Sequence, residues 1–244
     1  MDLGLHGRVF VVSGGSRGLG LATARVLLAE GARVVIGSRS PAAAAQDLGC
    51  LGVPLDLSDP ASAQALVDAA VGEHGRLDGA LVSVGGPPAG SALGLTDAQW
   101  HGAFDSVFLG AVRLCRAVVA ALPPEGGALA LVLSTSVKTP IGGLAASNGL
   151  RPGLAMLAKT MADELGPRGV RVNGLLPGRI ATDRLRELDG PDPDVAARRA
   201  AEVPLRRYGE PEEFGRTAAF LLSPAASYVT GAMVPVDGGA LRAL

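Results

Sequence analysis

Short apolar runs alternate with longer amphipathic stretches along the whole chain, and glycine or proline punctuates the joins. Val9-Phe10-Val11-Val12 is a β-rich run that enters a glycine-rich turn, after which Leu19 to Glu30 keeps helical spacing and ends at Gly31. The pattern predicts strand, loop, helix. Arg33 to Gly37 predicts a second strand, Val53 to Leu55 a third and Ala80 to Val84 a fourth. Pro60 to Gly75 reads as a helix whose proline fits the first turn after Ser58 or Asp59. A long helical pattern covers Asp97 to Ala121 and stops before Pro123-Pro124, ahead of the buried-strand run Ala128 to Leu133. Then come a helix from Pro152 to Leu165 and a strand from Val170 to Leu176. A polar, proline-rich stretch from Pro177 to Pro204 precedes a helix at Pro211 to Leu222 and a last short strand at Met233 to Val236.

Strands that alternate with helices imply parallel neighbours, because each parallel pair needs a crossover and such crossovers are right-handed. The expected fold is therefore α/β, a single-domain doubly wound parallel sheet of Rossmann type with helices on both faces. Ligands then bind beyond the carboxyl ends of the strands. The composition agrees: 244 residues suit one domain spanning 1–244, and 48% hydrophobic with 3% aromatic residues suits close packing of helices on a buried sheet.

A formal net charge of −1, with both signs interspersed, leaves no polybasic surface for nucleic acid or anionic lipid, so a small molecule is the expected partner. Cys50 and Cys115 lie far apart without a histidine cluster, which predicts free thiols and no metal site. Met1 to Arg8 has no basic segment followed by a long apolar one, and Arg113 and Arg116 interrupt the apolar stretch Val107 to Leu122. A soluble, cytoplasmic protein is expected.

The first turn reads Ser13-Gly14-Gly15-Ser16-Arg17-Gly18-Leu19-Gly20. Glycines at this strand-to-helix junction let the backbone approach a pyrophosphate at the helix N-terminus, where unpaired N–H groups and the dipole favour an anion. Twenty residues past Gly18, the second strand ends in Ser38-Arg39. An NAD site offers an acid there for the ribose 2′-hydroxyl, whereas a 2′-phosphate needs positive charge and hydroxyl donors. Ser38, Arg39 and Arg17 supply that set, so the expected cofactor is NADP(H). Asp56, followed by Leu57, is placed to accept from the adenine amino group.

Nearly end to end the chain resembles the short-chain dehydrogenase/reductase family, and within it the bacterial 3-oxoacyl-acyl-carrier-protein reductases. Besides the glycine turn, the resemblance rests on Gly75-Arg76-Leu77-Asp78, Gly169-Val170-Arg171-Val172-Asn173 and Pro177-Gly178-Arg179-Ile180-Ala181-Thr182. Gly209-Glu210-Pro211-Glu212-Glu213, Phe220-Leu221-Leu222-Ser223, Thr230-Gly231 and Val236-Asp237-Gly238-Gly239 continue it. It implies that Pro177, Gly178, Ile180 and Thr182 border the nicotinamide and that the last helix and strand build a homotetramer. It also implies structural roles for Asn173, Tyr208 and Tyr228, with Trp100 in helix packing. His6, His74 and His101 lie on outer elements and make poor catalysts.

The active-site positions depart from the family pattern, which uses a Tyr acid, a Lys four residues later, a carbonyl-steadying Ser and an Asn in the long central helix. Aligning Arg151-Pro152-Gly153-Leu154 with the family's lysine turn puts Arg151 at the lysine and Ser147 at the tyrosine. Counting seven from Trp100 puts Val107 at the asparagine. The serine is retained as Ser136 or Ser134, the Ser134-Thr135-Ser136-Val137 run leaving the register open. After the fourth strand, Ser83-Val84-Gly85-Gly86 replaces the usual Asn-Asn-Ala-Gly, and the backbone of Val84, Gly85 and Gly86 still lines the expected cofactor groove. Arg151 keeps a charge near the ribose hydroxyls, but neither guanidinium nor a serine hydroxyl matches a tuned phenol as an acid. Lys138, as a partly desolvated ammonium, is the one visible substitute donor.

Three functions follow as expectations. The first is an NADP(H)-dependent oxidoreductase of a small carbonyl or acyl substrate with a rearranged acid. The second is a cofactor-binding homologue without chemistry, acting as sensor, partner subunit or scaffold. The third is a reductase of iminium or activated-alkene substrates, which need less acid assistance.

Overall fold

The computed structural model describes residues 2–190 and 192–242. Seven strands form one parallel sheet: β1 (Val9–Ser13), β2 (Arg33–Ser38), β3 (Leu51–Pro54), β4 (Gly79–Ser83), β5 (Gly127–Val132), β6 (Val170–Pro177) and β7 (Met233–Val236), in the spatial order β3-β2-β1-β4-β5-β6-β7. The order reverses direction between β1 and β4, so the carboxyl ends of those two strands open the crevice where ligands of such sheets bind. This is the expected doubly wound fold.

Strand periodicity builds a core on each face. Along β1, Val9 and Val11 point into one buried cluster, with Leu66, Val67, Leu114, Val118 and Leu154, while Phe10 and Val12 point into the other, with Leu27, Phe214 and Ala218. The helices are α1 (Gly18–Ala29), α2 (Ala42–Leu48), α3 (Ser62–His74), α4 (Asp97–Ala103), α5 (Gly110–Ala121), α6 (Ala145–Leu165), α7 (Asp183–Asp189), α8 (Pro193–Glu202) and α9 (Pro211–Leu222). On this division α3, α5 and α6 cover one face and α1 and α9 the other. Small residues permit the close layers: a Cβ on Gly79 would lie 2.1 Å from the Ala128 carbonyl oxygen in the next strand.

Four differences from expectation have physical reasons. Helix α2 was not expected, because its alanine-rich sequence lacks apolar-polar contrast; Gly49 closes it in the left-handed region at φ 63°. Strand β3 begins at Leu51 rather than Val53, drawn in by pairing with β2 from Val35 onward. Helix α6 starts at Ala145, two turns before Pro152, which sits inside it; one missing N–H is offset by the burial of Ala146, Leu154, Ala155 and Ala158 along one continuous helix. Within the stretch expected as loop, α7 and α8 form behind the side-chain caps of Thr182 and Asp192. The central helical run also changes pitch, with a π-helical segment at Phe104–Leu109 between α4 and α5. Among the described residues, no helix is long and apolar enough to cross a membrane, and no His/Cys/Asp/Glu group is arranged to hold a metal.

Candidate active site

The glycine turn is built by sterics. Gly14 and Gly18 occupy the left-handed region at φ 65° and 56°. A Cβ on Gly20 would lie 2.3 Å from the Gly14 carbonyl oxygen, so only glycine lets α1 start this close to the turn. Arg17 is the N-cap of α1 and makes no side-chain cap bond, so its first-turn N–H groups stay available to an anion. Ser13 ties the turn to the neighbouring strand. Its hydroxyl donates to the Ser83 carbonyl and accepts from the Ser83 N–H, both at 2.9 Å, and so fastens β1 to β4. Leu19 packs against the second core cluster, and Ser16 is half-buried in the turn.

At the end of β2, Ser38 Oγ is buried and without a hydrogen-bond partner. Buried hydroxyls are ordinarily satisfied, so this atom marks a place for a ligand acceptor. Arg39 beside it is exposed. Asp56 is held below the usual carboxylate range, first by the Ser58 hydroxyl, then by the Ser58 N–H, with a smaller contribution from the charge of Arg39. Both Ser58 bonds, at 2.7 and 3.0 Å, fall on Oδ1, which leaves Oδ2 free of them. Leu57 seats against Gly110 at the start of α5. Arg17 leans toward Glu187 of α7, at 4.0 Å.

Beyond β5, a short 3₁₀ turn at Thr135–Val137 and helix α6 bring distant residues together. The Ser134 side chain accepts from the Ser136 N–H at 3.0 Å and caps the turn, while Ser136 Oγ lies 3.2 Å from Ser147 Oγ in a buried pair. One helical turn on, Arg151 is 7% exposed and donates from Nη1 to the carbonyls of Val132 and Leu133, at 2.8 and 3.0 Å. Burial, and secondarily the charge of Arg184, push its pKa down to about 10, which leaves it protonated at neutral pH. Val107 is buried in the π-helical segment. Lys138 is exposed, so the partly desolvated ammonium expected there is absent.

Helix α7 covers this end of the sheet. Thr182 caps it by accepting from the Leu185 N–H at 3.3 Å, and buried Ile180 bridges to Gly209. Pro177 ends β6, and a Cβ on Gly178 would meet Asp237 at 2.6 Å. Val84 is buried while Gly85 and Gly86 are exposed; Arg184 lies over Gly86 and donates from Nη2 to the Pro87 carbonyl at 3.1 Å. The far end of α7 is stitched down where Asp189 takes Arg179 Nη1 at 2.8 Å and the Tyr208 hydroxyl at 2.7 Å. Tyr208 is thus occupied structurally.

Two residues here escaped the sequence. Arg184 sits in the stretch expected as loop, and nothing local marked it. Asn148 grips the main chain of Ile141, accepting from its N–H at 3.1 Å and donating to its carbonyl at 2.9 Å, which shapes the loop before α6. Its position beside Ser147 was the only available signal.

A family model described as Enoyl-(Acyl carrier protein) reductase matches residues 14–240. The chain is similar to the cis-4-hydroxycyclohexanecarboxylate dehydrogenase of Sinomonas cyclohexanicum, at 36% identity over 95% of this chain and 96% of that protein. It is 32% identical to the 3-oxoacyl-[acyl-carrier-protein] reductase of Escherichia coli, over 97% and 98% of the two chains. The solved L-sorbose reductase of Gluconobacter frateurii, complexed with NADPH and L-sorbose, superposes with a TM-score of 0.93 at 30% identity, covering all of both chains.

Proposed function

The chain belongs to the short-chain dehydrogenase/reductase family, and we propose that within it the protein is an NADP(H)-dependent oxidoreductase of a small carbonyl compound, working through an altered active site. The observation that carries the cofactor choice is Ser38 Oγ, buried without a partner beside Arg39 and with no acid at either position. A 2′-phosphate supplies acceptors to both groups, whereas a bare ribose hydroxyl calls for a carboxylate. The rest of the groove fits the same group. Gly14, Gly18 and Gly20 cradle a pyrophosphate at the uncapped start of α1, and Arg17 adds charge. Asp56 Oδ2 faces the adenine role, while Gly85, Gly86, Ile180 and Thr182 border the nicotinamide end. NADPH in the Gluconobacter neighbour supports this assignment.

A bound reduced nicotinamide supplies the hydride. Ser136 and Ser147 orient the acceptor oxygen through their paired hydroxyls, one helical turn from the fixed positive charge of Arg151. None of the three is a tuned acid. Loss of a positioned general acid costs on the order of 10²–10⁴ in rate, so simple ketones react slowly here. A second reading, cofactor binding without turnover, is favoured by the exposure of Lys138, which removes the one substitute donor in view.

Fluorescence titration with NADPH and NADH tests the cofactor assignment, with NADPH expected to bind at least about tenfold tighter. Equal affinities overturn it. NADPH oxidation measured against ketones, imines and enones then separates the readings: tight binding with no turnover on any class selects the second. Assembly as a homotetramer through α9 and β7 belongs to the same proposal, and light scattering that finds a monomer at micromolar protein refutes it.

A further inference from the structure

We propose that Arg151 and Arg184 together form an anion seat beside the Ser136–Ser147 pair, and that the substrate is an oxo acid whose carboxylate occupies it. The inference rests on the oxidoreductase reading above. Arg151 is a buried cation with no carboxylate of the described residues within ion-pairing distance. A buried charge without a counter-ion is costly, and the two main-chain carbonyls it meets offset only part of that cost. Those bonds use Nη1 alone. A guanidinium has donors on two further nitrogens, and neither is a fully buried atom without a partner, so each keeps some accessible surface at which a ligand can be met.

Arg184 approaches the same end of the sheet from α7. The carboxyl ends of β4 and β5 are paired Ser83 to Val132, so Arg151, bonded at Val132 and Leu133, sits beside the chain that continues from Ser83 to Gly86 and Pro87. Arg184 lies on those two residues. Among the described residues its one carboxylate within ion-pairing distance is that of Glu187, 3.5 Å away and itself half-exposed, a surface pair of the kind that contributes little. The Asp189 anchor to Arg179 and Tyr208 holds α7, and hence Arg184, over the cleft. Two guanidiniums at this end of the sheet, one bonded at Val132 and Leu133 and the other at Pro87, with Glu187 the ion-pair partner of Arg184 and none on Arg151 among the described residues, match a planar carboxylate that accepts from both. With the carboxylate so placed and the serine hydroxyls adjacent, the reacting carbonyl belongs a bond or two away, as in 2-oxo and 3-oxo acids.

The test uses NADPH-loaded protein and two matched pairs of probes, pyruvate against methyl pyruvate and acetoacetate against methyl acetoacetate, with affinity read by calorimetry and KM where turnover is measurable. At least one acid is expected to bind about tenfold or more tighter than its ester. Arg184→Leu should bring that ratio close to one, and Arg184→Lys should retain part of it. Arg184→Gln, which keeps a donor for the Pro87 carbonyl while removing the charge, gives the same reading if the leucine variant fails to fold. Equal affinity for acid and ester in the unmodified protein, or a ratio that survives both neutral substitutions, overturns the seat. The same titrations on cofactor-free protein keep the two conclusions apart: failure to bind NADPH sinks the cofactor assignment, while the acid-to-ester ratio still decides the seat.

Discussion

The two ends of the ligand cleft are built by different means. At the nucleotide end, backbone shape does the work: left-handed Gly14 and Gly18 and the close approach at Gly20 come from one continuous segment between β1 and α1. At the chemistry end, side chains do it, and they come from three separate places: Ser136 after β5, Ser147 and Arg151 on α6, and Arg184 on α7. The difference shows which end tolerates change. A backbone cradle depends on a few glycines and little else, so it persists while the residues across the cleft are exchanged. On the function proposed here, binding and catalysis are therefore expected to be separable.

The largest test of that separation rebuilds the chemistry end. Ser147→Tyr combined with Arg151→Lys is expected to raise reduction of a neutral ketone by about 10²-fold, since it restores an acid and the ammonium that tunes it. The NADPH affinity of the double variant, measured by the same fluorescence titration, should stay within severalfold of the parent. If the unmodified protein already reduces such ketones at ordinary rates of about 1–10³ s⁻¹, the comparison collapses and another donor is at work. At the nucleotide end, Arg39→Ala should weaken NADPH by about tenfold or more, each charge-assisted hydrogen bond contributing roughly 1.5–3 kcal/mol, and leave NADH binding nearly unchanged. Parallel loss of both cofactors would show that Arg39 supports the fold of the groove and not the phosphate.

A smaller effect is expected where the two ends share a roof. Tyr208→Phe removes the bond to the Asp189 carboxylate, worth about 1.5 kcal/mol at the low end of the range for a charged acceptor, and should loosen α7. Faster hydrogen exchange in residues 183–189 at unchanged NADPH affinity is the expected result; unchanged exchange would show that Arg179 alone anchors the helix. The smallest effect is expected for Lys138→Met, which should leave turnover and cofactor affinity as they are because the side chain is exposed. Loss of turnover alone would make Lys138 the missing donor.

Local rules determined much of this protein before any fold was in hand. The seven strands and the helices that cover them were legible because a strand buried on both faces leaves a short continuous apolar run and a helix buried on one leaves a stripe of helical period. The glycine turn was legible for a similar reason, since left-handed backbone and close approach demand glycine at fixed positions. Where local contrast was weak, legibility failed: alanine-rich α2 carries no stripe, Pro152 disguised the start of α6, and polar α7 and α8 looked like loop. Side-chain pairing in the site was decided by tertiary structure alone. The sequence favoured Ser136 over Ser134 without fixing the register; the 3₁₀ turn spends the Ser134 hydroxyl as a cap and turns that of Ser136 to Ser147, eleven residues away. The hydroxyl of Ser13 bonds to the strand it meets seventy residues on, a pairing that nothing near Ser13 in the chain announces. Nothing near Arg184 in the chain announces Pro87, ninety-seven residues earlier. Periodicity and backbone strain act between neighbours in the chain, whereas hydrogen bonds and charge act between neighbours in space, and only folding makes those the same residues.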